Sequence, residues 1–221
     1  AYMPRSVLSR IHSTDNAKDL SNSQYGHNYY HDSSPGYGDV FYQNNWHTWL
    51  VSGLGAGGNT IYAMDVTNPN YTSSNAGSYV KGEWSYKAGD PLWQYLGNTY
   101  GKPEPIRLHN GQWGFVFGNG WCSSADQTNG NCTMTATGKA GIYLMLIDPN
   151  SGAISFKFLN TNVGTAANPN GIAEVTPVDL DKDNITDYVY AGDIQGNIWR
   201  FDLTSNSPAV WESQAPTNVF T

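Results

Sequence analysis

The chain has 221 residues, with 18 acidic against 11 basic side chains and a formal net charge of −7, a balance that repels phosphate backbones and anionic head groups. Nucleic acid and membrane surfaces are therefore not the expected partners. Only 13% of residues are charged, whereas 24 glycines, 15 tyrosines and 8 tryptophans favour short strands joined by tight turns over long helices.

Residues 1–37 form an irregular leading segment rich in Ser, Asn, His and Tyr. Its start, Ala1-Tyr2-Met3-Pro4-Arg5, lacks the apolar stretch of a signal peptide, so any export signal is expected upstream. No apolar run in the chain approaches the ~18 to 20 residues of a membrane-spanning helix. His27 and His31 are spaced four apart, but Asn28 stands where a zinc hydrolase carries Glu, so surface histidines are expected.

Three successive units then repeat one pattern: an apolar strand, a turn, a second strand ending in Gly, a variable loop, and a strand closing on Asp. The first, over about residues 38–86, runs Asp39-Val40-Phe41-Tyr42, turns at Asn44-Asn45, continues through Trp49-Leu50-Val51 and resumes at Ile61-Tyr62-Ala63-Met64-Asp65. Gly53-Leu54-Gly55-Ala56-Gly57-Gly58 formally matches a dinucleotide fingerprint, but a strand pattern follows where that motif needs a helix.

The second unit, over 104–158, turns at Asn110-Gly111 between Pro105-Ile106-Arg107-Leu108 and Trp113-Gly114-Phe115-Val116-Phe117. It resumes at Leu144-Met145-Leu146-Ile147-Asp148. Cys122 and Cys132 bracket its polar loop. A disulfide there would constrain the unfolded chain by about 2 to 3 kcal/mol and imply an oxidising compartment; the alternative is two thiols in a reducing one. No further Cys, and no His at a matching spacing, completes a zinc set. Trp93, Tyr95 and Trp121, in the long connections, are expected to pack between sheets more readily than to stack on sugars.

The third unit, over 171–212, carries the sharpest signal, Asp179-Leu180-Asp181-Lys182-Asp183-Asn184-Ile185-Thr186-Asp187. Carboxylates at loop positions 1, 3, 5 and 9, with the Ile185 carbonyl at position 7, follow the ligand order of an EF-hand calcium loop. Hard oxygen donors at alternate positions converge only when the chain coils around a point. Asn184 takes position 6, where Gly is usual and Asn best tolerates the left-handed backbone. Position 12 is Tyr190 rather than Glu, and both flanks are β-forming, so a Ca²⁺-binding hairpin tip is expected in place of a helical EF-hand.

These units read as an all-β, partial or distorted β-propeller of antiparallel meander blades, with an outer strand after each copy, as at Glu83-Trp84-Ser85-Tyr86 and Ile154-Ser155-Phe156-Lys157-Phe158. A closed propeller has about four to eight blades, so one propeller fragment of a larger protein is expected. A sandwich of the same meanders is the alternative. No nucleophile elbow is present, and neither Cys has a convincing His partner, which argues against a nucleophilic enzyme.

The run from Asp179 through Gly196-Asn197-Ile198-Trp199-Arg200-Phe201-Asp202-Leu203 resembles the PilC/PilY family of type IV pilus tip proteins. So do Pro4-Arg5-Ser6-Val7-Leu8, Tyr25 to Tyr30, the stretch from Gly38 to Gly58, and Gly101-Lys102-Pro103. The resemblance implies a quinoprotein-like propeller exported to the pilus tip, cell surface or outer membrane. It implies a non-enzymatic adhesin that regulates pilus extension, retraction and attachment, with Ca²⁺ held by Asp179, Asp181, Asp183, the Ile185 carbonyl and Asp187. Minor pilins and a host or abiotic surface are the implied partners. The Arg-Gly-Asp motif of integrin-binding members is absent. A quinone-cofactor dehydrogenase and an integrin-like or lectin-like binding propeller are the competing classes.

Overall fold

The computed structural model describes residues 2–17, 19–70, 72, 74–121 and 137–221. Three four-stranded antiparallel sheets follow one another along the chain, each with its strands in sequence order. The first holds β1 (Gly36–Tyr42), β2 (Asn45–Gly53), β3 (Thr60–Asp65) and, after the short helix α2 (Ala76–Tyr79), β4 (Val80–Ser85). The second holds β5 (Glu104–Arg107), β6 (Trp113–Gly118), β7 (Gly141–Ile147) and β8 (Ile154–Asn160). The third holds β9 (Ile172–Val178), β10 (Tyr188–Asp193), β11 (Ile198–Asp202) and β12 (Thr217–Phe220).

Strand β1 packs beside β5 and β5 beside β9, so the first strand of each sheet lies innermost and the fourth outermost. These are propeller blades, not the two facing layers of a sandwich. The blades do not close a ring. The third extends past residue 212, because α3 (Pro208–Ser213) precedes its outer strand.

Backbone chemistry fixes where the strands reverse. The β1–β2 turn is Gln43-Asn44, one residue before the expected Asn pair, and φ of +52° and +59° marks the mirror-image turn whose twist suits a hairpin. Near the inner strands the blades touch through glycine. A Cβ on Gly36 would stand 1.7 Å from the Pro103 carbonyl oxygen, and one on Gly101 would stand 1.9 Å from that of Ala173.

The core lies between blades. Strand β7 is buried at every position, as expected for a strand covered on both faces. Because side chains alternate, Tyr143, Met145 and Ile147 join Phe115 and Phe117 against Val40, Trp49, Val51 and Ile61 of the first blade. Ile142, Leu144 and Leu146 join Val116 against Val175, Val189, Trp199, Phe201 and Trp211 of the third. The free face of the first blade is covered by the leading segment. There α1 (Arg5–Ile11) brings Val7 onto Leu54 and Tyr62, with Tyr2, Ile11 and Tyr30 packed beside them.

Candidate metal-binding loop

Strands β9 and β10 pair up to Val178 and Tyr188, leaving residues 179–187 as the hairpin loop. Its coil is written into the backbone: Lys182 and Asn184 take φ of +68° and +65°, the second being the left-handed Asn expected at position 6. Asp179 organises the turn from its start. One of its oxygens accepts the Lys182 and Asp183 amides at 2.6 and 3.2 Å, and the other accepts the Asn184 amide at 2.8 Å. Asp181 accepts the Asp183 amide at 3.2 Å, and Asp183 accepts that of Ile185 at 2.7 Å.

Asp187 closes the loop from below. Its carboxylate is buried and accepts the Leu180 N–H at 2.8 Å, and its other oxygen lies 2.9 Å from Nε2 of His109. The Leu180 amide, with His109 adding to it, holds this carboxyl below the usual Asp range and keeps it ionised. Backbone bonds anchor the loop on two sides. The Thr186 N–H donates to the Arg107 carbonyl of the second blade, and the Leu203 N–H to the Asp187 carbonyl.

Asp179, Asp181 and Asp187 each bring a carboxylate oxygen within 4.8 Å of the other two. Asp183 is not in this cluster, and its carboxylate faces the Ile185 amide. Among the described residues no lysine or arginine side chain pairs with any of these carboxylates. An all-oxygen donor set on a coiled loop fits a hard divalent cation and does not suit zinc or copper.

The other sequence signals resolve differently. Cys122 and Cys132 lie outside the described residues. The glycine-rich stretch forms a single short turn over Gly55–Gly57, and β3 follows at once. Its work is steric: the Ala56 N–H donates to Asp32, and a Cβ on Gly57 would meet the Tyr30 carbonyl at 2.1 Å. His31 bonds the Tyr62 hydroxyl at 2.8 Å, whereas His27 stands edge-on to Tyr29. Trp93 stacks on Tyr143, Tyr95 on Phe158 and Trp121 on Tyr100, so all three are packing residues.

Three residues escaped sequence reasoning. His109 lies 78 residues from Asp187 and meets it only because the blades stack. Asn119, fully buried, donates to the Tyr95 and Lys139 carbonyls and accepts the Gly141 and Ile172 amides, joining the second blade to the third. Asp193 accepts the Trp199 indole N–H at 2.8 Å and side-chain amides of Asn170 and Asn197. Burial raises its carboxyl, but those donors outweigh burial and hold it below the usual range.

Comparison with known proteins places this architecture. The family model of the PilY1 β-propeller domain matches residues 10–218. The type IV pilus biogenesis factor PilY1 of Pseudomonas aeruginosa strain UCBPP-PA14 is 36% identical over 208 residues, covering 94% of this chain and 15% of the relative. A PilY1 homolog of Xylella fastidiosa strain Temecula1 is 33% identical over 213 residues, covering 96% of this chain and 13% of its own length. The chain thus spans a small part of these relatives. The crystal structure of the Pseudomonas aeruginosa PilY1 C-terminal domain superposes with a TM-score of 0.66 at 31% identity, covering 98% of this chain and 39% of that one. With the bladed architecture and the relatives in agreement over nearly its whole length, the chain belongs to the PilY1 β-propeller domain family.

Proposed function

We propose that this chain is the calcium-binding, non-enzymatic module of a type IV pilus-associated surface adhesin, exported and positioned at the pilus tip or outer cell surface. Its role is to regulate pilus extension, retraction and attachment, with minor pilins and a host or abiotic surface as partners. The pilus part draws support from relatives that are pilus biogenesis factors. The calcium part is carried by one observation, the convergence of Asp179, Asp181 and Asp187 to within 4.8 Å at the tip of one hairpin.

The converging carboxylates of Asp179, Asp181 and Asp187 would hold the ion, with Asp183 and the Ile185 carbonyl as the further donors that the loop spacing implies. When bound, Ca²⁺ supplies positive charge to a cluster whose carboxylates otherwise repel one another. The protein's own part is to hold the acids in place. The Leu180 amide and His109 do this for Asp187 and also keep it ionised, and the amides of residues 182–184 fix the position of the Asp179 carboxylate.

The test is a calorimetric calcium titration of the wild-type chain beside Asp179→Ala. A single site with Kd on the order of 10⁻⁶ to 10⁻³ M is expected in the wild type, with no saturation in the variant. Equal binding by the two proteins would remove the assignment.

A further inference from the structure

The loop between β9 and β10 has an exposed arm and a buried foot. Residues 180–184 face solvent, whereas Thr186 and Asp187 are buried. Both buried residues reach across the blade boundary to the β5–β6 hairpin, and at two separate points. The Thr186 N–H donates to the Arg107 carbonyl at 2.8 Å, where β5 ends, and an Asp187 carboxylate oxygen lies 2.9 Å from Nε2 of His109, in the turn. That turn is tied within itself: the Gly111 N–H donates to the Leu108 carbonyl at 2.8 Å, and the Leu108 N–H to the Gln112 carbonyl at 2.9 Å. A contact at residue 109 therefore bears on the whole turn.

The opposite end of the same boundary is held by a different chemistry. There the buried, uncharged Asn119 accepts the Ile172 amide at 3.1 Å, and the Gly120 N–H donates to the Ile172 carbonyl at 2.6 Å. These bonds join neutral groups, so they are indifferent to any cation. The bonds at the loop end are not. Asp187 is also one of the three carboxylates that converge within 4.8 Å, and like charges at that spacing repel unless a cation offsets them. Uncompensated repulsion acts on the very residue that fastens the loop to the hairpin.

Resting on the calcium reading above, we propose that the loop is a calcium-dependent clasp between the second and third blades. Calcium at residues 179–187 fastens the β5–β6 hairpin through Thr186 and His109, and its removal frees that end of the boundary while Asn119 keeps the other end closed. The hairpin thereby belongs to the site although it supplies no ligand. The coupling is reciprocal, so a loosened hairpin binds calcium less tightly.

Hydrogen exchange of the wild-type chain, with saturating calcium and again with a chelator, tests the clasp on amides at the boundary. Protection of Thr186 and Gly111 should rise by at least about threefold with calcium, while that of Gly120 and Ile172 stays unchanged. In His109→Ala the gain at Gly111 should vanish, although the amides of Lys182, Asp183 and Asn184 still respond. Calorimetric saturation by calcium with no change at Thr186 and Gly111 would overturn the clasp and leave the metal site standing, whereas absence of calcium binding would remove both. A gain at Gly111 retained in folded His109→Ala would also overturn it; should that variant not fold, the wild-type amides decide alone.

Discussion

Asp187 shows how one residue serves both fold and site. It caps the Leu180 amide, meets His109 on the neighbouring blade and contributes one of three converging carboxylates. Asp187→Asn keeps the size but removes the charge, so calcium affinity is expected to fall by about tenfold or more, read by the same calorimetric titration. His109→Gln, which loses only the supporting contact, should weaken binding without abolishing it. Asn119→Ala strands four backbone groups in the interior and is expected to cost about 3 kcal/mol or more in chemical denaturation. Asp65 gives a pH dependence of definite sign. Burial raises its carboxyl, but the Thr67 hydroxyl and amide and the Lys81 ammonium outweigh burial and hold it at about 2. A folded-state value below the unfolded one stabilises the fold above about pH 4, and that contribution is lost as pH falls toward about 2. Stability should therefore drop less between those limits in Asp65→Asn than in the wild type.

At the scale of elements, local chemistry made most hairpins legible, and long-range packing hid the rest. Asn and Gly near residues 44 and 111 announced the first two turns because both tolerate positive φ; Gly111 takes +82°. The coil of the acidic loop was legible for the same reason, since its left-handed Asn184 is encoded within residues 179–187. Helix α1 gave no such signal. It spans under two turns, has no side-chain cap at Pro4, and is held by Val7 packing and by the Arg5 N–H on Glu83. Helix α3 and β12 were equally hidden. Pro208 opens that helix, but its position depends on Trp211, which is buried among blade residues and donates its indole N–H to Ser205 at 2.8 Å. A β-branched side chain cannot easily adopt the turn conformation of Asn44, so Asn44→Val is expected to cost about 1 to 3 kcal/mol and Asn44→Gly far less, by denaturant unfolding.

Over the whole molecule, the second blade is the keystone, because its two faces supply one side of each inter-blade core. The hydrophobic repeats in the sequence revealed three meanders, but not which residues of β7 face which neighbour, since a strand apolar on both faces carries no alternation to read. The leading segment's cover over the first blade was likewise invisible, because its apolar residues have no period. The acidic loop is bound to this keystone through Thr186 and His109, so fixing the loop also fixes the contact between the second and third blades. On the proposed function, a calcium ion holds residues 179–187 in the observed coil. Hydrogen exchange of the loop amides, measured with saturating calcium and again with a chelator, tests it most directly. Protection of the amides of Leu180, Lys182, Asp183 and Asn184 should rise by at least about tenfold with calcium, while the β6 and β7 amides stay unchanged. Identical exchange in both conditions would contradict the account.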